Sequence, residues 1–539
     1  MANKKILLVL NGSQEYIRHI GEDEKKYISE ETRLFEAISY TYIPLLKVFE
    51  KLEKENIDFT ISMALSPVLC TLLDDKKIQE QYLSWLEKCI EFGKKEIERC
   101  SYSQILQEQA KRCFEKACSD KEFFAACNGK ILKKVHEYHK KGKVELLASC
   151  GTDIFLPHYN DMPEIMNAQV ETGIYAFRNF FGEVPEGFWL PEIGYYRGIE
   201  KVLRSNGINY TILDSRSFLF SENEPAKGIF YPARFDNALI AYGRDSFSDE
   251  QIFGAAGYVN NSCYLNLNCD VGFELPFSEL SCFTSESCSR FAVGYKYWNK
   301  KINLRNVKKS NFYDEQSLYE PKVSSGQIVL DANNFVRSKE EKLLEAEKLL
   351  PESKDICLTV TIDLDRLRTS WFEGIDWLEQ VIRKSANSSI ELSGLKNIVE
   401  NPFKLQRIRP YYGSSRADGY GEDLLSSKNS WMMRYVRKAS ERMVDLASRF
   451  PSDTGLKARL LILGAKELML AQSCCWAKMI ENNECPDYAA NRFKQSINDF
   501  TTVFDALGSN TVSTEWLTKL EEQHPIFPWM NYRIFSKKS

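Results

Sequence analysis

Residues 187–215 read GFWLPEIGYYRGIEKVLRSNGINYTILDS. A short apolar run, GFWL, stops at a proline; an amphipathic stretch follows, and a second apolar run, INYTILD, comes after it. Strand, helix and strand in that order form the unit from which parallel sheets are built, because parallel neighbours need a crossover connection. The unit sets one carboxylate, Glu192, where the first strand hands over to its loop. In barrels made of such units, reacting groups gather at the carboxyl ends of the strands.

The unit recurs on both sides. KILLVL (5–10) predicts a strand, the apolar spacing of 31–55 predicts a helix, and IDFTISMAL (57–65) predicts a second strand. VELLASCG (144–151) and ICLTVTIDLD (356–365) are further strands. Their alternation with helices over the first 400 residues predicts an α/β barrel. Two stretches interrupt it. Residues 73–143, rich in Lys and Glu, predict a helical insertion on the barrel rim, and 216–330, rich in Gly, Ser, Asn and aromatics, predict long loops with a few strands packed over the barrel. Helical periodicity returns in 431–450, 456–480 and 491–508, which predicts a C-terminal helical domain.

With 43% hydrophobic and 12% aromatic residues, the 539-residue chain can bury a large core in more than one domain. Its 71 basic and 75 acidic residues give a net charge of −4, so no basic excess exists to displace counterions from nucleic acid. A neutral substrate fits that balance. The apolar run starting at Ile6 is six residues long, too short for a signal or a membrane span, and predicts a cytoplasmic protein. Fifteen scattered cysteines, without CxxC pairs or histidines at metal spacing, predict reduced, packed thiols. Cys474 and Cys475 fall on a helical pattern and suit a core. His136 and His139, three apart on a charged helix, predict a solvated face, since a zinc site needs further ligands. No metal or organic cofactor is expected.

Glu192 in WLPE and Asp363 in LTVTIDLD both end strand runs. Two carboxylates at the active face suggest glycoside chemistry, one as nucleophile and one as acid/base. Strand alternation would set Asp363 and Asp365 on one face and Arg366 and Arg368 on the other. An arginine turned toward Asp363 would favour its ionised form, which is wrong for a general acid.

The order of these segments resembles glycoside hydrolase family 57, and within it the α-1,4-glucan branching enzymes. The resemblance is carried by YIRH with 31–52, by SMALSPVLCTLL, VELLASCGTDIFLP, GFWLPEIGYYRG, TIDLDRLRTSWFEGIDWL and SSRADGYGEDLLSSKNSW, and by FPWMNYRIF near the end. It implies an incomplete (β/α)7 barrel over 1–400, including the insertion and the loop-rich region, followed by a helical domain over 401–539 that contributes to the cleft. It implies Glu192 as nucleophile, Asp363 as general acid/base, and an α-glucan substrate such as amylose, glycogen or a maltodextrin.

The chain departs from the family pattern where histidines and tryptophans usually line the sugar site. Asn11 and Ser13 stand at the first motif's histidines, Asp153 at the second's, and Arg368, Thr369 and Ser370 precede Trp371 in the fourth. Arg416 and Leu424 stand where the fifth motif has tryptophan. Asn11, Ser13, Asp153 and Thr369 are therefore candidate sugar donors in place of imidazole. Asp365 is a candidate for orienting neighbours, and Trp189, Trp371 and Trp431 for aromatic lining. Trp377 suits a core or a sugar platform alike. Three readings follow: a working transferase or hydrolase with a rebuilt subsite, an impaired family member that binds glucan or a protein partner, or an enzyme for anionic sugars drawn by Arg368 or Arg416. The irregular loops, with GYVNNSCYLNLNCDVGF (257–273) similar in outline to the family's catalytic loop, are candidates for a roof.

Overall fold

The computed structural model describes residues 2–19, 27–281, 283, 291–301, 317–509, 511 and 513–537. Its strands are β1 (Asn3–Gly12), β2 (Ile61–Leu65), β3 (Val144–Ser149), β4 (Gly187–Trp189) and β5 (Tyr210–Leu213). They continue with β6 (Ala233–Arg234), β7 (Ile240–Gly243), β8 (Asp355–Asp363) and β9 (Ile390–Leu392). All join one curled sheet in the order β6-β7-β5-β4-β3-β2-β1-β8, with β9 beside the first half of β1. Every pairing is parallel except β6 against β7.

The two ends of the sheet meet just past β7. Arg244 bridges in parallel to Thr359 of β8, and the Asp245 N–H donates to the Thr359 carbonyl at 2.7 Å. A pair of lysines from the helix Pro321–Leu349 fixes this closure: Lys339 and Lys342 donate to the Asp245 carboxylate at 3.1 and 2.7 Å. Burial would raise that carboxyl, but the two ammonium groups outweigh it and hold Asp245 below the usual carboxylate value. The result is the incomplete (β/α)7 barrel, built on the parallel strands β1 to β5, β7 and β8, with β9 as an added parallel strand beside β1.

Both faces of the sheet are buried, as the unbroken apolar runs require. Leu7 and Val9 point with Ala64, Leu147, Tyr210 and Tyr242 into one inner cluster, while Ile6, Leu8 and Leu10 join the core beneath the helices. The insertion is helical, with Lys76–Arg99 and Gln104–Ala126 packed along each other and Ile131–Lys140 leading into β3. Asp75 caps the first of these helices by accepting the Lys77 N–H at 2.8 Å.

Three expectations are corrected. Residues 216–330 contain a barrel strand, β7, which was too short to stand out against its Gly- and Asn-rich flanks. Positions 282, 284–290 and 302–316 of that stretch lie outside the described residues. The strand expected to run to 365 stops at Asp363, whose carboxylate accepts the Arg366 N–H at 2.9 Å and starts the helix Leu364–Ser370. The single helix expected over 456–480 is two, Gly455–Ala471 and Cys475–Glu481. It breaks where the Cys474 N–H donates outward to the Asp153 carbonyl at 2.8 Å. Among the described residues, no helix is long and apolar enough to cross a membrane.

Candidate active site

The carboxyl ends of β1, β3, β4 and β8 bring Asn11, Asp153, Glu192 and Asp363 to one end of the barrel. Asn11 and Asp363 are paired in register across β1 and β8. The three acids feel one another: Glu192 and Asp363 both push Asp153 up, and Glu192 pushes Asp363 up.

Glu192 sits in a strained backbone. Its φ is 56° and that of Ile193 is 51°, two successive left-handed residues with no glycine to ease them. The surrounding structure holds this turn in place. Ser415 donates to the Glu192 carbonyl twice, from its N–H and its hydroxyl, each at 2.8 Å, and Tyr195 bridges Gly413 next to it. The motif loop SSRADGYGED thus fixes the acid's position.

The Glu192 carboxylate is engaged by two cations. Lys478 donates to one oxygen at 2.6 Å, and the Arg416 guanidinium lies 3.6 Å from the other while also pairing with Asp423. Burial would raise this carboxyl, but Lys478 and Arg416 together outweigh burial, and Glu192 lies below the usual glutamate value. Asp363 goes the other way: burial and the neighbouring Asp365 raise it, against the pull of Lys478 and the Arg366 N–H. One acid is held ionised and the other toward its protonated form.

Neither arginine of the motif takes Asp363 as a side-chain partner. Since 364–370 is helical, Arg368 reaches Asp365 three residues earlier and lies 3.8 Å from Glu36. The Arg366 guanidinium pairs with Asp249 at 3.0 Å. Asp365 is accordingly held ionised by Arg368 despite its burial.

Asp153 is 6% exposed, and burial pushes its carboxyl up to about 7; the Cys475 thiol lies 3.6 Å from one oxygen. A carboxyl at 3.8 in the unfolded chain and about 7 in the fold costs stability as pH rises between those values. Asp153→Asn is expected to remove this cost. Urea unfolding should show wild type weakening from pH 4 to 8 by up to about 4 kcal/mol more than the variant; equal pH slopes would refute the assignment.

Several expected lining residues are corrected. Trp189 is 5% exposed inside the barrel cluster, and Trp371 and Trp377 are buried against each other, with Tyr264 and Phe335. None of the three offers a ring face to a sugar, because each fills the core. Trp431 packs on Phe493 and Tyr435 beneath Lys494, none of them a residue of the acid cluster. Thr369 is exposed and its hydroxyl donates to the Asp365 carbonyl of its own helix at 2.9 Å. Ser13 is buried just beyond β1. Glu373 of the WFEG motif is a fastening: it accepts the Leu265 N–H at 2.9 Å and pins the 257–273 stretch to the barrel. His19 is built into the helices, stacked on Tyr27 and bonded to Glu31 and Tyr488. His136 and His139 are only 18% and 15% exposed, both bonded to Glu183, so that face is less solvated than its charge suggested.

Lys478 is the residue of the acid cluster that the sequence reading missed. Its signal was a single lysine inside the apolar run CCWAKMI, where a solvated cation has no place. The helix Cys475–Glu481 carries it to the barrel mouth, so the helical region completes the acid cluster. Among the described residues, no group of His, Cys, Asp or Glu is arranged to hold a metal ion.

The geometry agrees with what the chain is similar to. Residues 7–245 match the model of glycosyl hydrolase family 57, and residues 435–535 match that of the 1,4-alpha-glucan branching enzyme C-terminal region. The 1,4-alpha-glucan branching enzyme of Thermococcus kodakarensis is 25% identical over 96% of this chain and 76% of its own. The alpha-amylase AmyC of Thermotoga maritima superposes with a TM-score of 0.90 and 28% identity, covering both chains fully. The family 57 branching enzyme of Pyrococcus horikoshii has the same fold, with a TM-score of 0.85 and 22% identity over 99% of this chain and 97% of its own. With residues 7–245 matched by the family 57 model and its fold shared from end to end, the chain is similar to the proteins of glycoside hydrolase family 57 along its length.

Proposed function

We propose that this protein is a retaining α-glucan enzyme of the branching type, working by double displacement on α-1,4-linked chains such as amylose, glycogen or maltodextrin. The observation that carries the proposal is the opposed state of two carboxylates at one barrel mouth: Glu192 ionised between Lys478 and Arg416, Asp363 raised toward its acid form. A Glu192 oxygen attacks the anomeric carbon, and the glycosidic C–O bond breaks as Asp363 gives its proton to the departing 4-oxygen. Asp363, now a carboxylate, takes the proton from an acceptor 6-hydroxyl, whose oxygen displaces Glu192 and forms an α-1,6 bond. No cofactor enters either step.

In this reading 1–400 is the catalytic barrel and 401–539 the helical domain that supplies Lys478. Asn11, in register with Asp363, and Asp153, whose carboxyl feels both acids, take over donor roles from histidine, with Ser13 just beyond β1 as a further donor. The similarity to proteins named as branching enzymes supports transfer. The similarity to AmyC supports the second reading, hydrolysis, in which water replaces the 6-hydroxyl. An impaired scaffold gains no support from these relatives. An anionic sugar is disfavoured because Arg368 and Arg416 are already paired with Asp365 and Asp423.

Incubation of the protein with amylose, followed by counting of branch chain ends after debranching and of free reducing ends, tests the reading. New branches are expected. Reducing ends without branches would establish hydrolysis, and unchanged amylose would overturn the proposal.

A further inference from the structure

Beside the loop that holds Glu192, four tyrosines form a connected run of rings. The Tyr412 centroid lies 6.0 Å from that of Tyr196, 4.7 Å from Tyr411 and 4.9 Å from Tyr420, at interplanar angles of 48°, 37° and 41°. Tyr411, Tyr412 and Tyr420 are 49%, 39% and 46% exposed. Single exposed aromatics need no explanation, but a contiguous group does.

The backbone beneath the rings is fixed at several points. The Tyr411 N–H donates to the Ser217 carbonyl at 3.0 Å, Gly413 and Tyr195 exchange bonds of 2.8 and 3.1 Å, and the Ser414 N–H donates to the Gly419 carbonyl at 2.6 Å. Rings held this way lose little freedom when something binds them. The same loop fastens Glu192 through Ser415, so the platform and the nucleophile are parts of one rigid piece.

The arginines near the platform are paired with carboxylates. Arg197 pairs with Glu222, and Arg409 pairs with Glu222 at 3.4 Å and Asp236 at 3.0 Å. With these arginines neutralised, the platform does not favour nucleic acid or an acidic partner. What the surface offers is flat apolar faces edged with phenol hydroxyls, which suit a neutral ligand with apolar C–H faces and a hydroxyl rim. A pyranose ring has that character.

We propose that Tyr411, Tyr412 and Tyr420, continued by Tyr196, form a platform that binds successive glucose units of an α-glucan chain outside the cleavage site. The platform sets a preference for long chains, which span both Glu192 and successive rings. This rests on the reading that Glu192 acts on α-glucans.

The test uses the full chain carrying Glu192→Gln, which separates binding from turnover, with and without the combined substitutions Tyr411→Ala, Tyr412→Ala and Tyr420→Ala. Calorimetric titration with maltoheptaose and with maltotriose is the readout, and circular dichroism checks the fold. The tyrosine substitutions are expected to weaken maltoheptaose binding about tenfold or more, and maltotriose binding much less. Tyr412→Phe, which keeps the ring, should retain most of the affinity. Equal affinity with and without the three tyrosines would overturn the platform, and equal losses for both sugars would overturn its length preference. If the wild type leaves amylose unchanged while binding stays tyrosine-dependent, the catalytic reading fails and the platform stands. If wild type acts on amylose and the substitutions leave binding unchanged, the platform alone fails. If no form binds maltoheptaose, the platform falls, and the amylose assay alone decides the catalytic reading.

Discussion

Glu192→Gln is expected to lower turnover of amylose by about 10⁴-fold or more, the scale of loss when the nucleophile of a covalent mechanism is removed. The amide keeps the shape of the side chain and its place in the strained turn, but its oxygen carries no charge with which to attack an anomeric carbon. The loss should not depend on the leaving group. Asp363→Asn should behave differently: it removes the proton donor, so an aryl glycoside whose phenolate leaves without protonation should recover much of the rate of bond cleavage. A substrate-independent loss in one variant and a leaving-group-dependent loss in the other would fix the two roles. Recovery in the Glu192 variant, or none in the Asp363 variant, would reverse or refute them. Loss of the Lys478 partner could also disturb the fold, so thermal unfolding of Glu192→Gln belongs to the same measurement.

Much of this architecture was legible because barrel strands buried on both faces are written as unbroken apolar runs. KILLVL, VELLAS, GFWL and ICLTVTID announce themselves, and Glu192 and Asp363 stand at the carboxyl ends of the last two. Ile240–Gly243 did not, since four residues between polar flanks give too short a period to read, although that strand closes the barrel at Thr359. The arginines after Asp363 were misplaced for a related reason. Periodicity alone does not reveal that Asp363 caps a helix, and one switch from strand to helix turned Arg368 toward Asp365. The tryptophans show a different limit. An aromatic ring beside a motif acid suits a sugar or a core equally, and only packing assigned Trp189 and Trp371 to the core.

The long-range ion pair lay furthest from sequence reading, because Glu192 and Lys478 are separated by 286 positions. In the proposed mechanism it is what lets the site do without the family's histidines. A carboxylate taken out of water rises in pKa and loses its charge unless a cation compensates. Here the compensation comes from the helical region, through Lys478, with Arg416 on the motif loop as the second partner. In that reading Glu192 starts in an ion pair and must leave it to form a covalent bond.

Lys478→Met should therefore be the second most damaging change. Without the ammonium group, burial dominates and the Glu192 carboxyl rises, so less of it is ionised at any acidic or neutral pH. Asp363 rises too, because Lys478 now pulls it down. Both limbs of the pH–rate profile are expected to move to higher pH: the acid limb follows Glu192 ionising, and the basic limb follows Asp363 losing its proton. Near pH 6, kcat should fall about 100-fold, on the scale of losing one preorganised charge at a reacting centre. Lys478→Arg should restore most of the profile, because it keeps the charge if not the geometry. A merely structural lysine would lower the amount of folded enzyme without moving either limb. A rise in kcat for Lys478→Met would mean instead that the ion pair restrains the nucleophile more than it activates it, and Lys478 would then be a lock on Glu192 rather than its support.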